Sequence, residues 1–286
     1  MPKSNEVHAI AGSMVVEPDG AEKLIAIRRG IAAESVVFVI SPLCDSELEL
    51  ASLLDLACHR DERLWAVMEA RTVAWNSLVE SRLPIAKRAI VQDEIKRGFG
   101  NVEDILRTVW LVGDISHGEG QFLDSIAGQW AALILLSAFE QADLRAVSMD
   151  YVTLGELQGS DELPDGTVLV GGACMGNGMP LPDRSSEYAA ATAAARFNAS
   201  LLTFWNSEHF VTTADMADVP SAHIIEHISY AEATELSFFG ARVIHPQYMV
   251  NAIAKNIPIR LRCFADHLHL GTLVDHHSDG PDDKPV

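Results

Sequence analysis

Residues Ser35 to Ile40 read SVVFVI, apolar at nearly every consecutive position and rich in β-branched side chains. A strand with no polar face has to be covered on both sides, which is the position of a central strand in a parallel sheet. Parallel neighbours need long crossovers, and helices usually supply them. The rest of the chain offers both parts. A loosely alternating stretch, Glu6 to Val16, predicts a first strand ending in MVV. Ala21 to Ile31 has helical spacing, helix-like sequence runs through Ser46 to Val79, and the polar, periodic region Arg88 to Arg107 is again helical. Asp124 to Ala142 predicts a strong helix, Ser185 to Asn198 an Ala-rich one, and Ala231 to Phe239 another that Gly240 ends. Short strands are expected at Arg145 to Met149, Thr167 to Val170, Ser200 to Trp205 and Pro258 to Cys263. Gly113 to Gly120 and the Gly- and Pro-rich Gly171 to Asp183 read as loops, and Val152 to Asp165 as loosely structured. Strands alternating with helices imply an α/β fold with a mainly parallel central sheet sandwiched between helices.

Composition narrows the function classes. A formal net charge of −19 disfavours nucleic acid and anionic membrane surfaces, whose phosphates need Lys and Arg. A polyanionic ligand would likewise need local positive charge against a repulsive mean field. The longest apolar stretch, Trp130 to Phe139, is too short to span a bilayer, and no basic start followed by an apolar region marks a secretory signal. Cys44, Cys58, Cys174 and Cys263 are scattered with no C-x-x-C pair, which suits reduced thiols and a cytoplasmic location. Trp65, Trp75 and Trp110 are expected to pack on helices, and the tail His276 to Val286 to be disordered.

The stretch Ser229 to Pro246, SYAEATELSFFGARVIHP, resembles the pattern S-Y-x-E-A-x-E-L-x-x-F-G-A-K-V-L-H-P that closes the kinase domain of aspartate kinases. Val36 to Asp45 resembles that family's second strand and the turn after it. Thr212 to Ala222 resembles Y-T-A-D-P-R-x-V-P-x-A, and Asn256 to Val274 resembles N-I-P-I-x-V-x-N-T-x-x-P-x-x-x-G-T-L-I. The resemblance implies an amino-acid kinase fold over residues 1–275, its two lobes meeting near residue 165. It also implies transfer of the γ-phosphoryl group of Mg–ATP to the side-chain carboxylate of aspartate. The family usually carries regulatory ACT domains after this point, where the present sequence stops.

Phosphoryl transfer depends on positive groups and backbone donors around the phosphates. The family's opening K-F-G-G-T-S falls on Ala9 to Met14, so Ala9 replaces the Lys while Gly12 and Ser13 remain. The Gly-rich turn after the second strand becomes Pro42-Leu43-Cys44, with Ser41 kept. The Glu of F-G-E-R-L-S falls at or near Gly128, beside the uncharged Gln129, and His117-Gly118-Glu119 offers an alternative about nine residues early. The loop G-R-G-G-S-D-Y becomes Pro182 to Tyr188, in which Ser186 matches, Glu187 stands for the Asp and Arg184 is displaced by one. In the nucleotide segment, Thr213 and Asp215 match, the Thr-Asp pair becomes Asn206-Ser207, and the terminal Arg becomes Ala217. Arg242 stands for the Lys of G-A-K-V-L-H-P, keeping the charge but not its shape.

Three readings follow. In the first, the fold is kept and ordinary aspartate kinase activity is lost, leaving a scaffold that binds an amino acid or nucleotide, partners another enzyme, or hosts a repurposed reaction. In the second, the chain is an active ATP-dependent kinase. Its catalytic groups would be Arg184, Glu187 and Arg242, its substrate contacts Ser13, Ser41, Gln129 and Ser186, and its nucleotide contacts Gly12, Asn206, Ser207, Thr213 and Asp215. In the third, His267 and His269 on a strand point two imidazoles to one face beside Cys263, Asp275, His276 and His277, as a metal site requires; a solvated loop and tail is the simpler account, and no metal ligand is assigned. Homodimerisation is expected from the family resemblance, with Ser237-Phe238-Phe239 as an exposed surface for it.

Overall fold

The computed structural model describes residues 4–41, 43, 48–115, 119–149, 154, 156–157, 163–171, 186–206, 210–216, 218–239, 244 and 246–276, with backbone only at positions 121, 124 and 186. In chain order the elements are β1 (Asn5–Ile10), α1 (Gly12–Val16), α2 (Gly20–Gly30), β2 (Ser35–Ile40), α3 (Leu53–Cys58), α4 (Arg63–Arg82), α5 (Ile85–Val112) and α6 (Glu119–Gln141). Then follow β3 (Ala146–Met149), β4 (Gly166–Gly171), α7 (Ser186–Arg196), β5 (Leu201–Asn206), β6 (His227–Ser229), α8 (Tyr230–Phe238), α9 (Pro246–Ala254), β7 (Ile259–Cys263) and β8 (Thr272–Asp275).

The strands form one eight-stranded sheet in the order β3-β4-β2-β1-β5-β7-β8-β6. The six strands from β3 to β7 in that order run parallel; β8 lies antiparallel to β7, and β6 parallel to β8. All six residues of β2 are buried, which is what its unbroken apolar run requires. Alternate side chains feed two cores. Ile10, Val36, Phe38 and Ile40 face a large layer built by α1 to α6, where Trp130 meets both Trp75 and Phe99 with ring centroids 5.0 Å apart. Val7, Ala9, Val37 and Val39 face a second layer, in which the small buried side chains Ala189, Ala190, Ala193 and Ala194 let α7 lie close to the sheet.

Several expected elements differ. The first strand stops at Ile10, and MVV belongs to α1, where Met14 and Val15 are buried. Burial against the first core overrides the β propensity of Val15. The helical run expected through Val79 is broken between α3 and α4, at Arg60, which has φ 52°. There the Arg60 guanidinium donates to the carbonyls of Trp110 and Leu111 at the end of α5. The loop expected over Gly113 to Gly120 gives way to α6 at Glu119. His267 and His269 sit in a turn, not on a strand, so period-two alternation does not apply to them. His276, expected at the start of a disordered tail, is held by Asn256 Oδ1 at 2.5 Å from its Nε2. Most of the expected loop from Gly171 to Asp183 lies outside the described residues, as do Cys44, Cys174, His117 and His277. Trp65 and Trp110 pair across α4 and α5 at 6.0 Å, and Trp75 is fully buried, as expected of helix-packing residues.

Candidate active site

The parallel strands β4, β2, β1, β5 and β7 all end along one edge of the sheet, called the crest below. Successive connections from β1 lead one way to β2, while β5 lies on β1's other side. Such reversal points leave a crevice outside the carboxyl ends of the strands, where ligands of open α/β sheets bind. Gly12, Ser13, Ser41 and Asn206 therefore sit where a ligand site is expected.

Two of these residues touch. Ser41 N–H continues the ladder to the Ile10 carbonyl at 2.9 Å, and Ser41 Oγ accepts from Gly12 N–H at 3.2 Å. The two strand tips are thereby laced together. Ser13 is half-buried and its carbonyl accepts from Glu17 N–H, which closes α1. Ala9, in the place of the family's Lys, is 2% exposed and belongs to the apolar layer under α7. Gln129 is exposed on α6, one residue after the buried Gly128. At Gly171, the last residue of β4, an added Cβ would lie 2.3 Å from the Gly128 carbonyl oxygen and 2.8 Å from Ala132 Cβ. The helix backbone thus approaches the crest so closely that only glycine fits at position 171.

On the other side of β1, the Asn206 side chain is exposed while its carbonyl accepts from Phe264 N–H at 2.7 Å. Thr213 serves its own loop: its N–H donates to His223 O at 3.0 Å and its Oγ1 accepts from His223 N–H at 3.2 Å. The Asp215 carbonyl accepts from Val219 N–H at 2.8 Å, fixing the turn that follows. Ser186 starts α7, and Glu187 is half-buried in its first turn. Arg184, Ser207 and Arg242 lie outside the described residues. None of the described candidates carries positive charge: they are hydroxyls, amides, a glycine and two carboxylates. The phosphates of Mg–ATP need cations or converging backbone donors, and the two cationic candidates, Arg184 and Arg242, are not among the described residues. Among the described residues no group of three or more His, Cys, Asp or Glu could hold a metal ion, and no helix is long and apolar enough to cross a membrane.

Sequence reasoning missed a buried polar cluster below the crest. His8 on β1 is 2% exposed, Trp205 on β5 donates its indole N–H to His8 Nδ1 at 3.2 Å, and Arg262 on β7 lies 4.4 Å over the Trp205 ring. The one signal available was a histidine at the inward-facing position of a strand otherwise expected to be apolar.

The comparisons agree with this architecture. The profile of the amino acid kinase family matches residues 89–263. Lysine-sensitive aspartokinase 3 of Escherichia coli is 32% identical over 246 residues, covering 78% of this chain and 53% of that protein. The chloroplastic bifunctional aspartokinase/homoserine dehydrogenase 1 of Arabidopsis thaliana is 24% identical over 323 residues, covering 100% of this chain and 35% of that protein. The crystal structure of E. coli aspartokinase III with aspartate and ADP superimposes with a TM-score of 0.78 at 21% identity, covering 98% of this chain and 66% of that one. The chain thus spans about a third of the plant protein and about half of the E. coli enzyme. A mainly parallel sheet between helical layers, superimposing along almost its whole length on an aspartokinase and matching the family profile over most of its second half and more, has one consistent reading: the chain belongs to the amino acid kinase family.

Proposed function

We propose that this chain is an aspartokinase-like scaffold that binds a small molecule, an amino acid or a nucleotide, at the crest, and that ordinary aspartate kinase activity has been lost. The observation that carries this reading is Ala9. It occupies the position of the family's phosphate-facing Lys, and its methyl group is buried in the layer under α7. Losing one charged partner in a phosphoryl-transfer site costs several kcal/mol of transition-state stabilisation, and about 1.4 kcal/mol is a factor of ten in rate. The neutral character of Gly12, Ser13, Ser41 and Gln129 supports the same reading. Calorimetric titration with Mg–ATP, followed by ADP release with a panel of amino acids, tests it. No aspartate-dependent ADP release is expected, whereas a thermal-shift screen should find an amino acid or nucleotide that raises the melting temperature. Tight Mg–ATP binding with aspartate-dependent turnover would overturn it.

A second reading keeps the kinase active with a rearranged site of Arg184, Glu187, Arg242, Ser13 and Ser41. Its support is Glu187, held in the first turn of an eleven-residue helix at the crest side of the Ala-rich layer. The same turnover assay decides between the two. Association with a second copy or with another enzyme is part of the proposal. Phe238 and Phe239, each 84% exposed at the end of α8, are the surface to probe by sedimentation.

A further inference from the structure

We propose that His8 is a proton-sensitive latch: in its neutral form it holds Trp205, and through Trp205 and Arg262 it holds the turn after β7 against the crest. The inference is independent of which ligand the crest binds.

The latch can be followed atom by atom. His8 lies on the face of β1 that points into the larger core, 5.2 Å from the Phe38 ring and 6.5 Å from the Trp205 ring. An indole N–H can only donate, so His8 Nδ1 must hold its lone pair and the imidazole proton sits on Nε2. Nε2 lies 3.4 Å from Glu6 Oε2 without a hydrogen-bond partner of good geometry. On the outer side of Trp205 the Arg262 guanidinium stacks on the ring and donates to His267 O at 2.6 Å and His269 O at 3.2 Å. Phe264 meets the Trp205 ring at 6.2 Å, and its own N–H closes on Asn206 O. One stack therefore runs from a buried imidazole in β1 to the backbone of residues 264–270.

A second proton on His8 can go only to Nδ1. It would turn the acceptor into a donor that faces the indole N–H, and the bond to Trp205 could not survive. The charged groups near this site come from β1, β7, α2 and the turn after β7. Glu6 on β1 favours the imidazolium; Arg262 on β7 and Arg28 on α2 oppose it. Lys23 of α2 lies 5.2 Å over the Phe264 ring, and Asp266 in the turn acts on Arg262. Phe38 on β2 and Trp205 on β5 bring no charge. Burial is the largest influence and holds the imidazole below its ordinary value.

Proton–nitrogen NMR of the full chain, from about pH 8 to about pH 5, tests the latch across the range where histidines titrate. The Trp205 indole resonance is assigned with Trp205→Phe. It should shift with the same midpoint as the His8 imidazole, and amide exchange at residues 264–270 should rise about tenfold as His8 protonates. His8→Asn keeps an oxygen to accept from the indole but cannot titrate. In that variant both pH dependences should vanish. The proposal is overturned if His8→Asn keeps the wild-type pH dependence, or if His8 stays neutral throughout. It is also overturned if the indole resonance does not follow the His8 titration. Should His8→Asn not fold, the two wild-type midpoints decide the matter alone, coincidence supporting the latch and separation overturning it.

Discussion

Two strands of the sheet run directly into a helix, β6 through Ser229 into α8 and β1 through Ala11 into α1. At the first turn the local sequence satisfies its own backbone. Ser229 Oγ accepts from Glu232 N–H at 3.2 Å, the Glu232 carboxylate accepts from Ser229 N–H at 2.8 Å, and the Tyr230 hydroxyl donates to the Ile257 carbonyl. This reciprocal capping box ties down two orphan donors with residues three apart. At the second turn Ala11 supplies no side-chain cap, and Gly12 N–H relies on Ser41 from the neighbouring strand. The difference explains why Ser229 to Pro246 matches aspartate kinases so closely while the start of the chain does not. S-Y-x-E is an instruction for building a helix, needed whatever the protein binds. Under the proposed function the residues around Gly12 answer to a ligand as well as to the fold, and would be free to change with that ligand.

The sharpest test of this contrast asks whether the crest is mechanically tolerant. Gly171→Val should not be tolerated. Its Cβ would meet helix backbone, and we expect a loss of about 3 kcal/mol or more, read by urea unfolding, or failure to fold. A fully stable Gly171→Val would show that the crest is loosely packed.

Acidification comes next in size. The folded value of His8 lies below 6.5, so between those two values the unfolded chain binds more protons and stability falls as pH falls. The loss begins as pH drops through about 6.5 and reaches at most about 1.4 kcal/mol per pH unit until the folded value is passed. Above that window His8 contributes no pH dependence. Denaturation curves of wild type and His8→Asn should therefore converge in slope at high pH and diverge on the acid side.

Ser229→Ala should cost about 1 kcal/mol, the usual worth of a helix cap. Ser41→Ala removes the part-buried hydrogen bond that Ser41 Oγ accepts from Gly12 N–H and should cost less, about 0.5 kcal/mol. If urea midpoints showed Ser41→Ala to be the more damaging change, the two turns would have to be ranked the other way. Phe238→Ser, on the exposed end of α8, should change monomer stability by less than about 0.5 kcal/mol. A large loss there would mean that the surface is covered in solution.

What could be read in advance follows from the range of the forces involved. SVVFVI announced β2 because all six side chains are buried, and the alanines of α7 announced a helix, though not that it lies close to the sheet. β6 and β8, with three and four residues, are too short to show alternation, and α1 is a five-residue helix whose Val15 obeys the core and not its propensity. Gly12 and Ser41 were singled out in the sequence only through the resemblance to aspartate kinases. Their contact, and that of His8 with Trp205, 197 residues apart, arise only when β1 is laid between β2 and β5. Arg262 holding the carbonyls of His267 and His269 is likewise a non-local cause, and it makes a turn where spacing alone had suggested a strand.

The order of the strands has one more consequence, for encounters between molecules. An open sheet offers unpaired N–H and C=O groups along its two outermost strands, and any extended segment of another chain can add itself there. Here those outermost strands are β3, with four residues, and β6, with three. β6 passes at once into a capped helix, so an incoming strand would find only a few ladder positions before the template turned away. The long, fully apolar strands that would make the most dangerous templates, β2 above all, lie in the interior of the sheet with both neighbours in place.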